Sequence, residues 1–243
     1  VALVTGARQG IGAEVATCLA AAGARVAIAA RRQADVGAAV SAIQAGGGEA
    51  LALGFDVQDT SAIAEAITAV ADHFGRLDIL VNNAGVTLRS NAFNYSQADW
   101  DEVLNTNLRS AFFASREAAR HMIKSGGGRI INVSSMYARV AHPERAAYIA
   151  SKAGLEGLTR ALAAEWGPDG IAVNGVAPGT IRTPSRADIQ HDSAFMAGRI
   201  SRIPLGRIGE VSDIALAVLY LVGPSGGYIT GQTLLVDGGF SVV

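Results

Sequence analysis

Val1-Ala2-Leu3-Val4-Thr5-Gly6-Ala7-Arg8-Gln9-Gly10-Ile11-Gly12 opens the chain with a short apolar run, a glycine turn and the start of a helix-period segment. Glycines at such a junction allow a tight turn and let a pyrophosphate approach backbone N–H groups at a helix N-terminus. They also serve simply to pack a helix on a sheet, so the motif alone leaves both readings open. Its spacing, Gly6, Gly10 and Gly12, departs from the GxGxxG dinucleotide fingerprint, and it lacks the GK[ST] of a nucleoside-triphosphate loop, which disfavours a kinase or NTPase.

Beyond this turn, short apolar runs alternate with longer helix-period segments to the end of the chain, the pattern of βαβ units on a parallel sheet covered on both faces. Seven strands are predicted: Ala2 to Thr5, Arg25 to Ala30, Ala50 to Phe55, Ile79 to Asn82, Arg129 to Val133, Ala172 to Val176 and Thr233 to Val236. Helices are predicted at Ile11 to Ala22, Gln33 to Ala45, Thr60 to Phe74, Gln97 to Lys124, Ala147 to Trp166 and Val211 to Val222. Gly46-Gly47-Gly48 and Gly126-Gly127-Gly128 follow helical segments as C-terminal stops. No linker or repeat divides the 243 residues, so one domain over 1–243 is expected. The exception to the regularity is Pro178 to Gly206, which follows a strand's carboxyl end and mixes Pro, Gly, Arg and Asp without a period. Ligands bind at that edge of open α/β sheets, so 178–206 is read as a substrate lid, with a plain surface excursion as the alternative.

With 50% hydrophobic and 17% charged residues the chain belongs to the globular class, and a net charge of -1 offers no broad field for nucleic acid or an anionic membrane. The apolar stretch Ile11 to Ala30 is not a membrane span, because Gly12, Gly23, Glu14 and Arg25 interrupt it. With no secretory signal in view, a cytoplasmic location is expected, although the chain opens on Val1 and residues before it can be missing. Cys18, the single cysteine, reads as a small core residue, and four scattered histidines offer no metal site.

Chemistry is carried by Tyr148-Ile-Ala-Ser-Lys152 with Ser135 thirteen residues before the tyrosine. A phenol holds its proton to a pKa of about 10 and is a poor shuttle near neutrality. On a helix Lys152 projects from the same face one turn along, where an ammonium favours phenolate. Tyr148 can then exchange a proton with an alkoxide or alcohol while Ser135 holds the same oxygen. At the end of the second strand, where an NAD site usually places an acidic residue, the chain has Ala30-Arg31-Arg32. A guanidinium there grips a 2′-phosphate, with Arg8 as a second cation, so NADP(H) is favoured and NAD(H) stays open, the alternative being that the arginines are solvated surface charge.

TGxxxGxG, the Ser/YxxxK set and the strand pattern together resemble the short-chain dehydrogenase/reductase family over essentially the whole chain. Asn82-Asn83-Ala84-Gly85 matches its NNAG, Asp56-Val57 its adenine pair, and Pro178-Gly179 with Ile181 and Thr183 its nicotinamide segment. The glycine turn, with Arg8, Gln9 and Ile11, matches its phosphate loop. The resemblance implies a doubly wound Rossmann-type α/β fold and a homotetramer built on the long helices. It implies a ketone/secondary-alcohol oxidoreductase in which Ser135 orients the carbonyl, Tyr148 is the acid/base, Lys152 lowers its pKa and binds the nicotinamide ribose, and Asn107 completes a relay through water. Ser134 is the runner-up for the serine, at the wrong spacing. Where relatives carry small residues after the serine, Met136-Tyr137-Ala138-Arg139 stand here and line the pocket, with Tyr137 stacking on substrate or filling space. The likeness extends to 3-oxoacyl-carrier-protein reductases and equally to sugar, polyol and xenobiotic ketone reductases. Arg182, Arg186, Arg199 and Arg202 attract an anionic substrate or carrier, or are ordinary surface charge. A dinucleotide-sensing protein without turnover is the alternative of another class.

Overall fold

Alternate residues along the strands face opposite sides, and both sides are apolar. Ala2, Val4, Val26, Ile28, Val81 and Ile131 enter one buried cluster, while Leu3, Ala27, Ala29, Leu80 and Ile130 enter the other. A strand apolar on both faces must be covered on both, which a parallel sheet with crossover helices achieves. The computed structural model describes residues 1–184 and 193–243. In it β1 (Ala2–Val4), β2 (Val26–Ala30), β3 (Ala50–Gly54), β4 (Ile79–Asn82), β5 (Gly128–Val133), β6 (Ile171–Pro178) and β7 (Thr233–Val236) form one sheet in the order β3-β2-β1-β4-β5-β6-β7, every pair parallel. Ala2 pairs with Val26 on one side and Ile79 on the other. The chain therefore reverses its direction of winding between β1 and β4, and the crevice at their carboxyl ends is where such sheets take ligands.

α1 (Gly10–Ala21), α2 (Gly37–Ala45) and α8 (Val211–Val222) lie on the first face; α3 (Thr60–Phe74), α5 (Ser110–Lys124) and α6 (Ala146–Trp166) lie on the second. Asp59 starts α3 by accepting from Ser61 and Ala62 N–H, and Glu210 with Asp213 makes a reciprocal capping box on α8. Gly47 and Gly126 take positive φ where the sequence predicted helix stops.

Two elements differ from the sequence reading. The helix predicted over Gln97 to Lys124 is α4 (Gln97–Leu104), a π-turn at Asn105–Arg109, and α5. Apolar periodicity over so long a run does not register one wider turn, and such turns gather at functional sites. Within the stretch predicted as irregular, Ser193–Ile200 forms α7. A third cluster of Met136, Tyr137, Ile203, Ile208 and Phe240, with Met196 and Ile200 against it, seats α7 and the segment after it on the turn following Ser135. Arg186 lies outside the described residues. Among the described residues no helix is long and apolar enough to cross a membrane.

Candidate active site

The glycine turn is held open by what surrounds it. Gly6 and Gly10 both sit at φ 63°, which side chains other than glycine rarely adopt. A Cβ on Gly6 would stand 2.7 Å from the Ala84 Cα, and one on Gly12 would collide with the Asn83 amide and with the Gly6 carbonyl. Asn83 braces the turn, its Nδ2 donating to the carbonyls of Thr5 (3.0 Å) and Gly6 (2.9 Å). Asn83 N and Ala84 N in turn donate to Thr5 Oγ1 at 3.1 and 3.2 Å. The result is a backbone cradle at the N-terminus of α1, which fits the pyrophosphate of a dinucleotide.

From this cradle a cavity of about 1060 Å³ runs along the carboxyl edge of the sheet. Gly6, Arg8, Gln9, Gly10, Ile11 and Gly12 form its floor. Arg31, Arg32 and Val57 line one end; Asn83, Ala84 and Gly85 line the middle with Pro178, Gly179, Ile181 and Thr183 opposite. Ser135, Tyr148 and Lys152 line it further on, followed by Met136, Tyr137, Arg89 and Arg199. Asp56 is the one predicted cofactor contact turned elsewhere: its carboxylate accepts from Gln58 N at 2.9 Å and does not line the cavity. Arg32 is held in a two-point contact with Asp35, whereas Arg31 has only a long ion pair with Glu102 at 3.9 Å. At that separation the pair contributes almost nothing, so Arg31 is the more available of the two.

Lys152 is buried, and its Nζ donates to the Val133 carbonyl at 2.8 Å. Burial lowers its pKa from 10.5 to about 8 by penalising the charged form. Near pH 7 the amine is still mainly an ammonium, 5.9 Å from the Tyr148 ring centroid. Ser135 Oγ accepts from Tyr137 N at 3.2 Å as the cap of a short 3₁₀ turn. Ser134 instead turns its hydroxyl onto α6, donating to Lys152 O at 3.3 Å and to Glu156 at 3.5 Å. Glu156 also meets Arg139 at 3.2 Å, so Arg139 points away from the cavity.

Asn107 does not line the cavity; it stands behind it in the π-turn, buried. Its Oδ1 accepts from Val86 N (2.8 Å), and its Nδ2 donates to Val86 O (2.9 Å) and Ser151 Oγ (3.0 Å). Ser151 Oγ donates to the Tyr148 carbonyl at 2.7 Å. One side chain thus ties the strand β4 loop, the π-turn and α6 together. A second buried ladder lies beneath it: Asn82 Nδ2 donates to Asn132 Oδ1 (2.9 Å) and Ser115 Oγ (3.0 Å), and Asn132 Nδ2 donates to Thr159 Oγ1 (2.9 Å). Satisfied networks of this kind hold neighbouring elements in register.

Sequence reasoning did not single out Arg145, which is 2% exposed with its guanidinium 4.9 Å over the Tyr137 ring. Nor did it pair Tyr137 with Arg199, whose Nη2 donates to the phenol oxygen at 2.6 Å. Sixty-two residues separate the latter two, and no local signal joins them. His142 is edge-on to Tyr137, with Nδ1 against the Pro143 carbonyl. Among the described residues no three His, Cys, Asp or Glu side chains gather as a metal site would require.

The family model described as Enoyl-(Acyl carrier protein) reductase matches residues 6–241. Among curated proteins the chain is 37% identical over 241 residues to a gluconate 5-dehydrogenase of Gluconobacter oxydans (strain 621H), covering 99% of this chain and 94% of that protein. It is 40% identical over 241 residues to a 3-oxoacyl-[acyl-carrier-protein] reductase of Staphylococcus aureus (strain Mu50 / ATCC 700699), covering 98% and 96%. Among solved structures it superposes, with a TM-score of 0.95 and 35% identity over 100% of this chain and 95% of that one, on a gluconate 5-dehydrogenase from Burkholderia cenocepacia J2315 in complex with NADP and tartrate. With a matched family model spanning nearly its whole length on a seven-stranded parallel sheet, the chain belongs to the short-chain dehydrogenase/reductase family of NAD(P)-dependent oxidoreductases.

Proposed function

We propose that the protein interconverts a ketone and a secondary alcohol with NADP(H), using Tyr148 as general acid and base. The observation that carries this reading is that Ser135, Tyr148 and Lys152 line the same cavity as the glycine cradle, with the lysine amine buried beside the tyrosine. When bound, the nicotinamide supplies or accepts the hydride. The chain's own part is placement and proton transfer. Ser135 holds the carbonyl oxygen, Tyr148 gives its phenolic proton to that oxygen as negative charge develops, and the ammonium of Lys152 stabilises the phenolate left behind. In the reverse direction the phenolate takes the alcohol proton. The side-chain groups of Asn107 are taken by Val86 and Ser151, so we assign it the placing of the Tyr148 backbone.

NADP preference rests on the cations at the far end of the cavity, Arg31 foremost, and is supported by the solved relative in complex with NADP. The domain reading is retained as one dinucleotide-binding and catalytic unit over 1–243, with 178–206 as a substrate lid, of which 185–192 lie outside the described residues and Met196, Ile200 and Ile203 pack in the third apolar cluster. Reduction of a 3-oxoacyl carrier substrate is the second reading, favoured by the relatives that carry that name.

Initial rates of NADPH and NADH oxidation over a panel of keto sugars, oxo acids, cyclic and aromatic ketones and a 3-oxoacyl thioester test the proposal. Turnover with NADPH is expected. Tight NADPH binding with no turnover of any carbonyl would instead mark a dinucleotide sensor.

A further inference from the structure

The sequence leaves Tyr137 open between stacking on a substrate and filling space, and the contacts of its ring favour the second. Tyr137 is 5% exposed and lines the cavity together with Ser135, Met136 and Tyr148. Its backbone N–H donates to Ser135 Oγ at 3.2 Å, within the turn Met136–Ala138 that Ser135 caps. The serine hydroxyl and the tyrosine therefore keep one relative position.

The ring itself is restrained at three points. The guanidinium carbon of Arg145, a residue only 2% exposed, stands over it at 4.9 Å from the centroid. His142 meets it edge-on with centroids 5.5 Å apart, and Arg199 Nη2 donates to the phenol oxygen at 2.6 Å. Tyr137 also belongs to the third apolar cluster with Met136, Ile203, Ile208 and Phe240, against which Tyr148 packs. Swinging the ring aside would break a charge-assisted hydrogen bond and take the ring from beneath a buried cation, and both resist it. A ring that stacks on varied ligands needs freedom to adjust, whereas one held at face, edge and hydroxyl is a wall of set position. Arg89, which lines the cavity as well, is exposed, and its long side chain can give way.

Resting on the oxidoreductase reading above, we propose that Tyr137 is a specificity-determining residue, a rigid steric wall beside the carbonyl that Ser135 holds, and that the substrates are ketones or secondary alcohols with one small flank. Added bulk on that flank meets a ring that cannot turn and a packed cluster behind it, so the strain falls on the substrate. The other flank is not governed by Tyr137. Size on one side of the carbonyl is thus selected by a residue that takes no part in proton transfer.

The test takes each carbonyl that is turned over and enlarges one flank of it at a time, with NADPH oxidation as the assay. Acetophenone, propiophenone and isobutyrophenone make one such series; butane-2,3-dione, pentane-2,3-dione and hexane-3,4-dione make another. On one flank we expect kcat/KM to fall at least tenfold from the smallest to the largest member, the usual discrimination of a pocket against an added carbon or two. Tyr137→Ala should shrink that ratio by about tenfold or more by admitting the bulky ketones. Tyr137→Leu, which keeps an apolar side chain in the cluster, should shrink it less, and Tyr137→Phe, which keeps the ring, should retain most of it. Ratios taken within one variant cancel a general loss of activity, and NADPH binding with thermal unfolding shows that each variant is folded. A wild-type series flat on both flanks, or one equally steep in Tyr137→Ala and Tyr137→Leu, would overturn the wall and leave the reductase reading intact. Absence of turnover on every carbonyl would overturn the reductase reading itself.

Discussion

At the scale of single residues, Lys152 offers a measurable signature because its amine is buried without a counter-charge among its first contacts, only the Val133 carbonyl. Its pKa is about 8 in the folded chain against 10.5 for an ordinary lysine. Between those values the unfolded chain holds more protons, so this group makes stability rise with pH from about 8 to 10.5, and the burial penalty is constant below that window. Lys152→Met removes the penalty. In the cofactor-free protein the stability of this variant relative to wild type should be greatest at neutral pH and shrink by about 3 kcal/mol as pH rises through the window, read by urea unfolding at several pH values. A difference that stays flat with pH would show that the amine is solvated. Tyr148→Phe should lower kcat by roughly 10²- to 10⁴-fold, the usual worth of a placed acid, while NADPH binding followed by fluorescence is retained. A variant with near-normal turnover would remove Tyr148 from the chemistry. The YxxxK spacing made both residues legible, since four positions on a helix are one turn. The burial of one of them was not, because it depends on what β5 and α6 bring around it.

At the scale of elements, the π-turn at Asn105–Arg109 is where sequence periodicity failed and where the site is most dependent on local geometry. Asn107 was legible as a family position, yet its three bonds to Val86 and Ser151 exist only because the wider turn carries its side chain back toward β4 and α6. Asn107→Ala should strand the part-buried Val86 N–H and C=O and cost about 1–3 kcal/mol in unfolding free energy, together with a loss in kcat from a displaced Tyr148. Loss of stability with kcat untouched would make the π-turn purely structural. The glycine turn is the opposite case, fully legible because only glycine tolerates φ 63° at Gly6 and Gly10. Gly12→Ala brings a Cβ onto the Asn83 amide and the Gly6 carbonyl, backbone included, so it should weaken NADPH binding at least tenfold by isothermal titration and destabilise the fold by about 1–3 kcal/mol.

At the scale of the molecule, one cavity runs from Arg31 past Ser135, Tyr148 and Lys152, and the Arg31 end tests the proposed cofactor preference. Arg31→Asp should shift the NADPH/NADH ratio of kcat/KM toward NADH by at least tenfold, and an unchanged ratio would make Arg31 plain surface charge. We also infer assembly as a homotetramer, an expectation to which the part-exposed Trp100, Phe112 and Ile123 along 97–124 lend support. Light scattering should give close to four times the 24.9 kDa chain mass, and a monomer would contradict it. The sequence by itself determined the parallel α/β class, the seven strands, the glycine turn and the Tyr148 and Lys152 pair, because each of these is written in local periodicity, backbone freedom or helical spacing. The tertiary structure alone decided that Ser134 turns its hydroxyl onto α6, that Asp56 turns away from the cavity, and that Arg199, of the described arginines on 182–202, lines it beside Tyr137. Those outcomes depend on contacts between residues far apart in the chain, such as Arg199 with Tyr137, and no pattern within a segment records which distant surfaces will close on it.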